Sequence, residues 1–190
     1  MRAYCISLPD RPKKWQRASA QIRAKGFEVE LYSAHKRNPG WVGCTESHLG
    51  ALASIGTAPF AIFEDDVEFI EQIHFMEQAI AQIGEFDMLF LGCDPQEPMK
   101  RVSENALKIG KVYQTHAIVY GSTKVVDYIL ANRNSIRKID VFFAEEIIPK
   151  FKCYATYPML CKQADGFSDI QNRSLDFSYI VDKFNKMVQK

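Results

Sequence analysis

Three consecutive carboxylates, Glu64, Asp65 and Asp66, directly follow the apolar run at 60–63. Adjacent acids in a partly desolvated setting repel one another, which raises their pKa values and costs stability, and a divalent cation removes that cost. Side chains two residues apart on an extended segment point the same way, so Glu64 and Asp66 can share one face. Mg²⁺ and Mn²⁺ prefer oxygen ligands and bind through carboxylates plus substrate phosphates. The triplet therefore indicates metal-assisted chemistry on a diphosphate. The alternative is that the acids favour a helix N-terminus, with Asp66 or Glu68 capping it.

A second pair with ligand chemistry is Cys44 and His48, which are spaced i,i+4 and could both face a metal. Two ligands without a second pair are a weak zinc signal, and packing within a helix, with His48 as a core histidine, is the favoured interpretation. The cysteines lack any C-x-x-C spacing, which is typical of reduced thiols in a cytoplasmic protein. The five are Cys5, Cys44, Cys93, Cys153 and Cys161.

Charge and composition exclude several classes of protein. The 190 residues carry 24 basic and 23 acidic side chains, so the net charge of +1 argues against binding nucleic acid through bulk electrostatics. Residues 51–100 hold ten acidic and one basic side chains, and an acidic quarter between basic ones suits a metal site beside a site for an anion. No apolar run is long enough to span a membrane.

Hydrophobic periodicity predicts strands that alternate with helices, hence an α/β fold with a mostly parallel sheet and helices on both faces. In such sheets ligands bind at the carboxyl ends of the strands. The predicted strands are 3–8, 28–33, 60–63, 88–91, 107–112, 116–120 and 153–157. The predicted helices are 11–25, 45–55, 70–83, 122–130, 140–149 and one from Asp176 onward.

Seven blocks of the sequence, in order along nearly the whole chain, resemble glycosyltransferase family 25, the lipooligosaccharide and collagen-type galactosyltransferases. They are I-S-L-P-D-R-P-K-K-W (6–15), G-C-T-E-S-H-L-G-A-L (43–52), A-I-F-E-D-D-V-E-F (61–69), F-D-M-L-F-L-G (86–92), T-H-A-I-V-Y-G (115–121), I-D-V-F-F-A-E (139–145) and Y-P-M-L-C-K-Q-A-D-G-F-S-D-I-Q (157–171). The resemblance implies a single-domain GT-A fold over 1–190. Residues 1–92 would form the nucleotide-sugar and metal half, and 93–190 the acceptor side with the C-terminal helix.

The resemblance also implies donor contacts. The end of the first strand would contact the uracil and ribose, through Ile6, Ser7 and Leu8. Arg11 would approach the nucleotide or its phosphates, against the alternative of a solvated first-turn residue. Gly43 would let the backbone approach the donor, with Ser47 one helical turn on.

The E-D-D triplet would stand in place of the D-x-D motif of GT-A enzymes. Asp66 is the first expected ligand of Mn²⁺ or Mg²⁺, with Glu64 beside it or on the ribose. Asp65 would face the donor sugar or hold the ligands in place. Asp169 would return to the metal or diphosphate, and because no histidine follows His116, the third protein ligand stays open.

An inverting transferase needs a carboxylate that removes the proton of the acceptor hydroxyl. The first candidate is Asp140 and the second is Glu145, about a turn and a half along the same helix. The alternative for Asp140 is an ordinary N-cap.

The resemblance thus implies metal-dependent transfer of a hexose, galactose from UDP-galactose foremost, onto a glycan such as lipooligosaccharide or another surface polysaccharide. The expected location is the cytoplasm, with weak peripheral contact at the inner membrane face through basic residues of the first and last helices; solvated faces are the alternative. Two other functions stay open. One is an inactive nucleotide-sugar-binding module, and the other a metal-dependent phosphohydrolase or nucleotidyltransferase.

Overall fold

The structure is a computed structural model that describes residues 1–168 and 173–189. Six α-helices lie in this part of the chain: α1 (Pro12–Ala24), α2 (Gly40–Ile55), α3 (His74–Ile83), α4 (Thr123–Ala131), α5 (Ile139–Phe142) and α6 (Ile180–Lys186). A π-helical stretch, Phe143–Ile147, continues α5, and a 3₁₀ turn covers Arg133–Ser135.

The strands of the described residues are short. They are β1 (Arg2–Ser7), β2 (Glu28–Ser33), β3 (Phe60–Glu64), β4 (Val67–Phe69), β5 (Met88–Phe90), β6 (Asp94–Pro95), β7 (Met99–Arg101), β8 (Ala106–Lys108), β9 (Val112–Tyr113), β10 (Ala117–Tyr120), β11 (Cys153–Thr156), β12 (Cys161–Gln163), β13 (Gly166–Ser168), β14 (Arg173–Leu175) and β15 (Val188–Gln189).

Nine strands form one large sheet in the order β15-β7-β8-β11-β5-β10-β3-β1-β2. The prediction of an α/β fold is confirmed, but the prediction of a mostly parallel sheet is wrong. β10 runs antiparallel to both β3 and β5, and β8 is antiparallel to β7 and β11. For β10 to run parallel to β5, the chain would need a long crossover, usually a helix, between them. Residues 91–116 contain only short strands and loops, so β10 runs antiparallel. Because β10 lies between β3 and β5, residues from both sides of position 92 share this sheet.

Alternation along the central strands buries both faces of the sheet. Phe60 and Ile62 of β3 pack in one core with α2 and α4, whereas Ala61 and Phe63 pack in the other with α1 and α3. Successive strand side chains point to opposite faces, so a strand that is apolar at every position must be covered on both sides. The layers are therefore helix, sheet, helix.

Three helix starts differ from the sequence prediction. α2 begins at Gly40 rather than Thr45, because the Thr45 hydroxyl bonds to the 137–139 segment instead of capping the helix. α3 begins at His74 rather than Ile70. α6 begins at Ile180, since the Asp176 carboxylate closes a local turn by accepting from the Ser178 amide.

Gly92 follows β5 at the point where the chain of β12 crosses it. A Cβ at this position would lie 1.8 Å from the backbone oxygen of Cys161 and 2.9 Å from Nε2 of His116. The amides of Leu160 and Cys161 both donate to the Leu91 carbonyl, so neither backbone can give way. Glycine is required here for the close approach that brings β12 to the carboxylate triplet.

We expect Gly92→Ala to lower the free energy of unfolding by about 1–3 kcal/mol or more, since it forces backbone atoms apart in a packed interior. Urea denaturation measures the change. The matched control is Gly110→Ala, whose Cβ would meet the movable carboxylate of Glu97. Equal costs for the two variants would contradict the close-approach explanation.

Candidate functional site

The carboxylate triplet lies where the chain turns between β3 and β4. Glu64 ends β3, and Asp65 and Asp66 form the tight turn that leads into β4. The turn is fixed on both sides, because the Asp65 amide donates to the Ile6 carbonyl and the Asp66 carbonyl accepts from the Ala164 amide. All three acids are therefore held at the carboxyl end of a central strand, as the sequence predicted, and no helix follows them to be capped.

Glu64 is a partly exposed carboxylate with two side-chain donors. Its Oε1 accepts from Oγ1 of Thr115 at 2.7 Å and lies 3.2 Å from Nε2 of His48. Burial by itself raises the pKa of Glu64, but these hydrogen bonds outweigh burial and hold the pKa below its ordinary value. Glu64 is accordingly ionised at neutral pH.

The Asp66 carboxyl has fewer hydrogen-bond partners than Glu64, and its pKa shifts in the opposite direction. Its Oδ2 accepts from Nε2 of Gln163 at 3.1 Å, whereas Oδ1 is buried without a hydrogen-bond partner among the described residues. Burial, followed by the charges of Glu64 and Asp65, raises the pKa of Asp66 to about 8. A buried carboxylate oxygen without a donor is costly, and binding a cation is one way to relieve it.

Asp65 turns away from the other two acids. Its Oδ2 accepts from the Ser7 hydroxyl at 2.6 Å, at the end of β1. Burial raises the pKa of Asp65, while the Ser7 hydrogen bond and the charge of Lys14 oppose the rise. Asp65 thus ties the triplet to β1.

A cavity of about 720 Å³ opens beside the triplet and is lined by Glu64 and Asp66, but not by Asp65. This volume lies within the range of small-molecule sites. One wall is basic, with Lys13, Lys14 and Arg17 of α1. Other lining side chains are aromatic: Trp41, Tyr113, Phe177 and Tyr179.

Asp140 faces the same cavity, together with its neighbours Lys138 and Ile139. Thr45 of α2 holds this segment, because its Oγ1 donates to the Arg137 carbonyl and accepts from the Ile139 amide, both at 3.2 Å. The alternative of an N-cap is wrong, because Lys138 is the N-cap of α5 and Asp140 is the second residue of the helix, where one of its oxygens accepts from the Val141 amide at 2.8 Å. The carboxylate is nevertheless at the cavity, where the sequence predicted a base.

Several predicted site residues lie elsewhere. Gly43 and Ser47 are buried and hold the loop at 35–37: a Cβ on Gly43 would lie 2.1 Å from the His35 carbonyl oxygen, and the Ser47 hydroxyl accepts from the His35 amide. Glu145 is exposed and lies 3.4 Å from Lys111 in an ion pair, outside the cavity lining.

The predicted contacts of the first strand are not on the cavity wall either. Ile6 is a core residue and Ser7 is buried against Asp65. Leu8 and Arg11 are also absent from the lining of the cavity, among the described residues. Asp169 lies outside the described residues, so its role as a ligand stays a prediction.

Sequence reasoning missed two kinds of contributor. Thr115 and Gln163 reach the triplet from 51 and 97 residues away, and no local pattern marks them. The basic residues of α1 were assigned to solvent or a membrane surface, yet three of them line the cavity. The position of α1 directly after the first strand could have indicated this role, because the first turn of such a helix lies at the edge of the sheet where ligands bind.

Cys44 and His48 come together with Glu64. One potential ligand atom from each of the three side chains lies within 4.8 Å of the others. The i,i+4 pair noted in the sequence thus gains a third member from β3.

None of the described helices is long and apolar enough to cross a membrane.

Asp66→Asn should change how stability depends on pH. With the pKa raised from about 4 to about 8, the folded protein keeps a proton that the unfolded chain has lost, so the free energy of unfolding falls as pH rises between these values. The slope from this one group is at most about 1.4 kcal/mol per pH unit. We expect Asp66→Asn to gain stability over the unmodified chain steadily from pH 4 to pH 8.

Urea unfolding in metal-free buffer across this range measures the difference. Glu85→Gln, at a side chain that is 92% exposed, is the control and should give a flat difference. A flat difference for Asp66→Asn as well would show that this carboxyl titrates normally.

Comparison with known proteins informs the fold alone. No protein-family model matches the chain, and no curated protein does. The crystal structure of A197 from STIV is similar, with a TM-score of 0.53 and 12% identity over 92% of both chains. HddC from Yersinia pseudotuberculosis has a TM-score of 0.48 and 9% identity over 82% of this chain and 91% of its own. The inositol-1-phosphate CTP transferase from T. maritima has a TM-score of 0.46 and 11% identity over 100% and 98%. The likeness to A197 shows that this α/β architecture occurs in a solved protein of distant sequence.

Proposed function

We propose that this protein is a metal-dependent hexosyltransferase of the family 25 type, with a single-domain GT-A fold and a UDP-sugar donor. One observation supports the proposal above the others: Asp66, at the wall of a cavity of about 720 Å³, has a pKa raised to about 8 and a buried oxygen to which none of the described residues donates. An uncompensated carboxylate beside a cavity of ligand size is what a divalent cation site requires.

The residues present fit such a cation. Asp66 and Glu64 both reach the cavity and offer hard oxygen ligands for Mn²⁺ or Mg²⁺. When bound, the ion would supply charge stabilisation for the leaving diphosphate. Asp169 remains the predicted further ligand.

The basic wall suits the phosphates of the donor. Lys13, Lys14 and Arg17 stand on the same cavity as the two acids, so a diphosphate would lie between a cation and protein-borne positive charge. The aromatic side chains of the cavity, rather than the predicted Ile6 and Leu8, offer flat apolar surfaces for the uracil.

Asp140 would act as the base. It would take the proton of the acceptor hydroxyl while that oxygen forms its bond to C1 of the sugar, and the bond from C1 to the diphosphate breaks to release UDP. Thr45 would position this carboxylate by fixing the backbone on either side of position 138. Galactose as the sugar, a surface glycan as acceptor and inversion at C1 follow from the resemblance.

Release of UDP from a panel of UDP-hexoses, with Mn²⁺ and a glycan acceptor, tests the proposal. We expect activity with at least one donor and its loss in Asp66→Ala, while Glu85→Ala, far more exposed, retains it. Binding of UDP without turnover would favour the inactive module. Release of pyrophosphate or inorganic phosphate instead of UDP would favour a nucleotidyltransferase or phosphohydrolase.

Asp140→Asn should lower kcat by about 100- to 10,000-fold, the usual effect of removing a general base, with an unchanged melting temperature. Asp127→Asn, on the exposed side of α4, is the matched control. Glu145→Gln should leave kcat near that of the unmodified enzyme. Loss of activity in Glu145→Gln, with full activity in Asp140→Asn, would reverse the assignment of the base.

A further inference from the structure

The cluster formed by Cys44, His48 and Glu64 brings sulfur, nitrogen and oxygen ligands to one point. Cys44 and His48 lie on the same face of α2, one turn apart, and Glu64 meets them from the end of β3. All three ligand atoms lie within 4.8 Å of one another. Two rigid elements therefore hold the donors, so the arrangement does not depend on a loop.

The imidazole of His48 is only 1% exposed, and its polar groups are incompletely satisfied. Nε2 contacts Glu64, while Nδ1 is buried without a hydrogen-bond partner among the described residues. Nε2 is the ring nitrogen that faces Glu64, so it is the nitrogen placed to bind an ion at the cluster.

Access distinguishes Cys44 from the other cysteines. Cys5, Cys93, Cys153 and Cys161 are buried, whereas Cys44 is partly exposed and lines the cavity together with Glu64. An ion in the cavity can therefore reach this thiol, and a water molecule can complete the coordination from the cavity side.

The spacing matches a small tetrahedral ion. With Zn–N and Zn–O bonds of about 2.0–2.2 Å, a tetrahedral site separates its nitrogen and oxygen ligands by about 3.4 Å. Nε2 of His48 and Oε1 of Glu64 are 3.2 Å apart. Mg²⁺ and Mn²⁺ favour all-oxygen shells, while thiolate and imidazole together select zinc.

We propose that Cys44, His48 and Glu64 bind Zn²⁺, with a fourth coordination position open to the cavity. This site differs in ligand chemistry from the hard-cation site expected at Asp66, and Glu64 borders both. The inference does not rest on the transferase function, because metal binding is measured without any nucleotide or sugar.

Co²⁺ serves as the spectroscopic probe on the metal-stripped chain of 190 residues. We expect the first equivalent of Co²⁺ to give intense tetrahedral d–d absorption and a thiolate-to-cobalt charge-transfer band, both removed by one equivalent of Zn²⁺. This measurement on the unmodified chain needs no variant. Absence of the thiolate band, or of tetrahedral absorption from the first equivalent, would overturn the proposal.

Variants assign the ligands. Cys44→Ser, nearly isosteric, should abolish the thiolate band and weaken Zn²⁺ binding by more than about 100-fold, since loss of a mere outer partner costs about 10–100-fold. His48→Gln should weaken Zn²⁺ binding similarly, with folding checked by circular dichroism. The control His35→Gln removes an exposed imidazole near α2 and should change nothing. A thiolate band that survives Cys44→Ser, or zinc binding lost in His35→Gln, would place the metal elsewhere.

Discussion

The partial burial of three consecutive carboxylates at the turn between β3 and β4 is the constraint around which the rest of the site is arranged. Ser7, His48, Thr115 and Gln163 each come from a different part of the chain, and each bonds to one of these acids. The compensation is uneven, since Glu64 has two donors and remains ionised, whereas Asp66 keeps one buried oxygen that has no partner in residues 1–168 and 173–189. Burial and the neighbouring acids therefore raise the pKa of Asp66 and favour its protonated form, and a bound cation would stabilise the ionised form instead.

The cavity is lined by charges of both signs. Glu64 and Asp66 line it from β3 and the following turn, whereas Lys13, Lys14 and Arg17 line it from α1. This arrangement complements a metal-bound diphosphate better than it complements a free cation or a free anion, because each half of the complex meets opposite charge. Glu64 lies between the oxygen ligands of Asp66 and the sulfur and nitrogen ligands of Cys44 and His48 on α2. The two proposed metal sites are therefore separated by ligand chemistry rather than by distance.

Sequence reasoning located the features that short-range patterns encode. Periodicity and spacing predicted the apolar run of β3 that ends in the acids, the helix observed at 12–24 and the i,i+4 pair on α2. The antiparallel direction of β10 could not be predicted in this way, because the sequence of a strand does not indicate the direction of the strands beside it. The family resemblance placed Gly43 and Ser47 at the donor, yet both contact the loop at 35–37 instead. Thr115 and Gln163 act across the fold, so they became visible only in three dimensions.

Calorimetric titration of the 190-residue chain with UDP, in the presence and absence of Mn²⁺, tests whether the triplet holds a cation that binds a diphosphate. We expect Mn²⁺ to strengthen UDP binding by at least about tenfold, or about 1.4 kcal/mol, and Asp66→Asn to remove this gain while the chain stays folded. Equal affinity with and without the ion, or a gain that persists in Asp66→Asn, would contradict it. Either result would show that the carboxylate triplet does not take part in metal-dependent binding of a diphosphate.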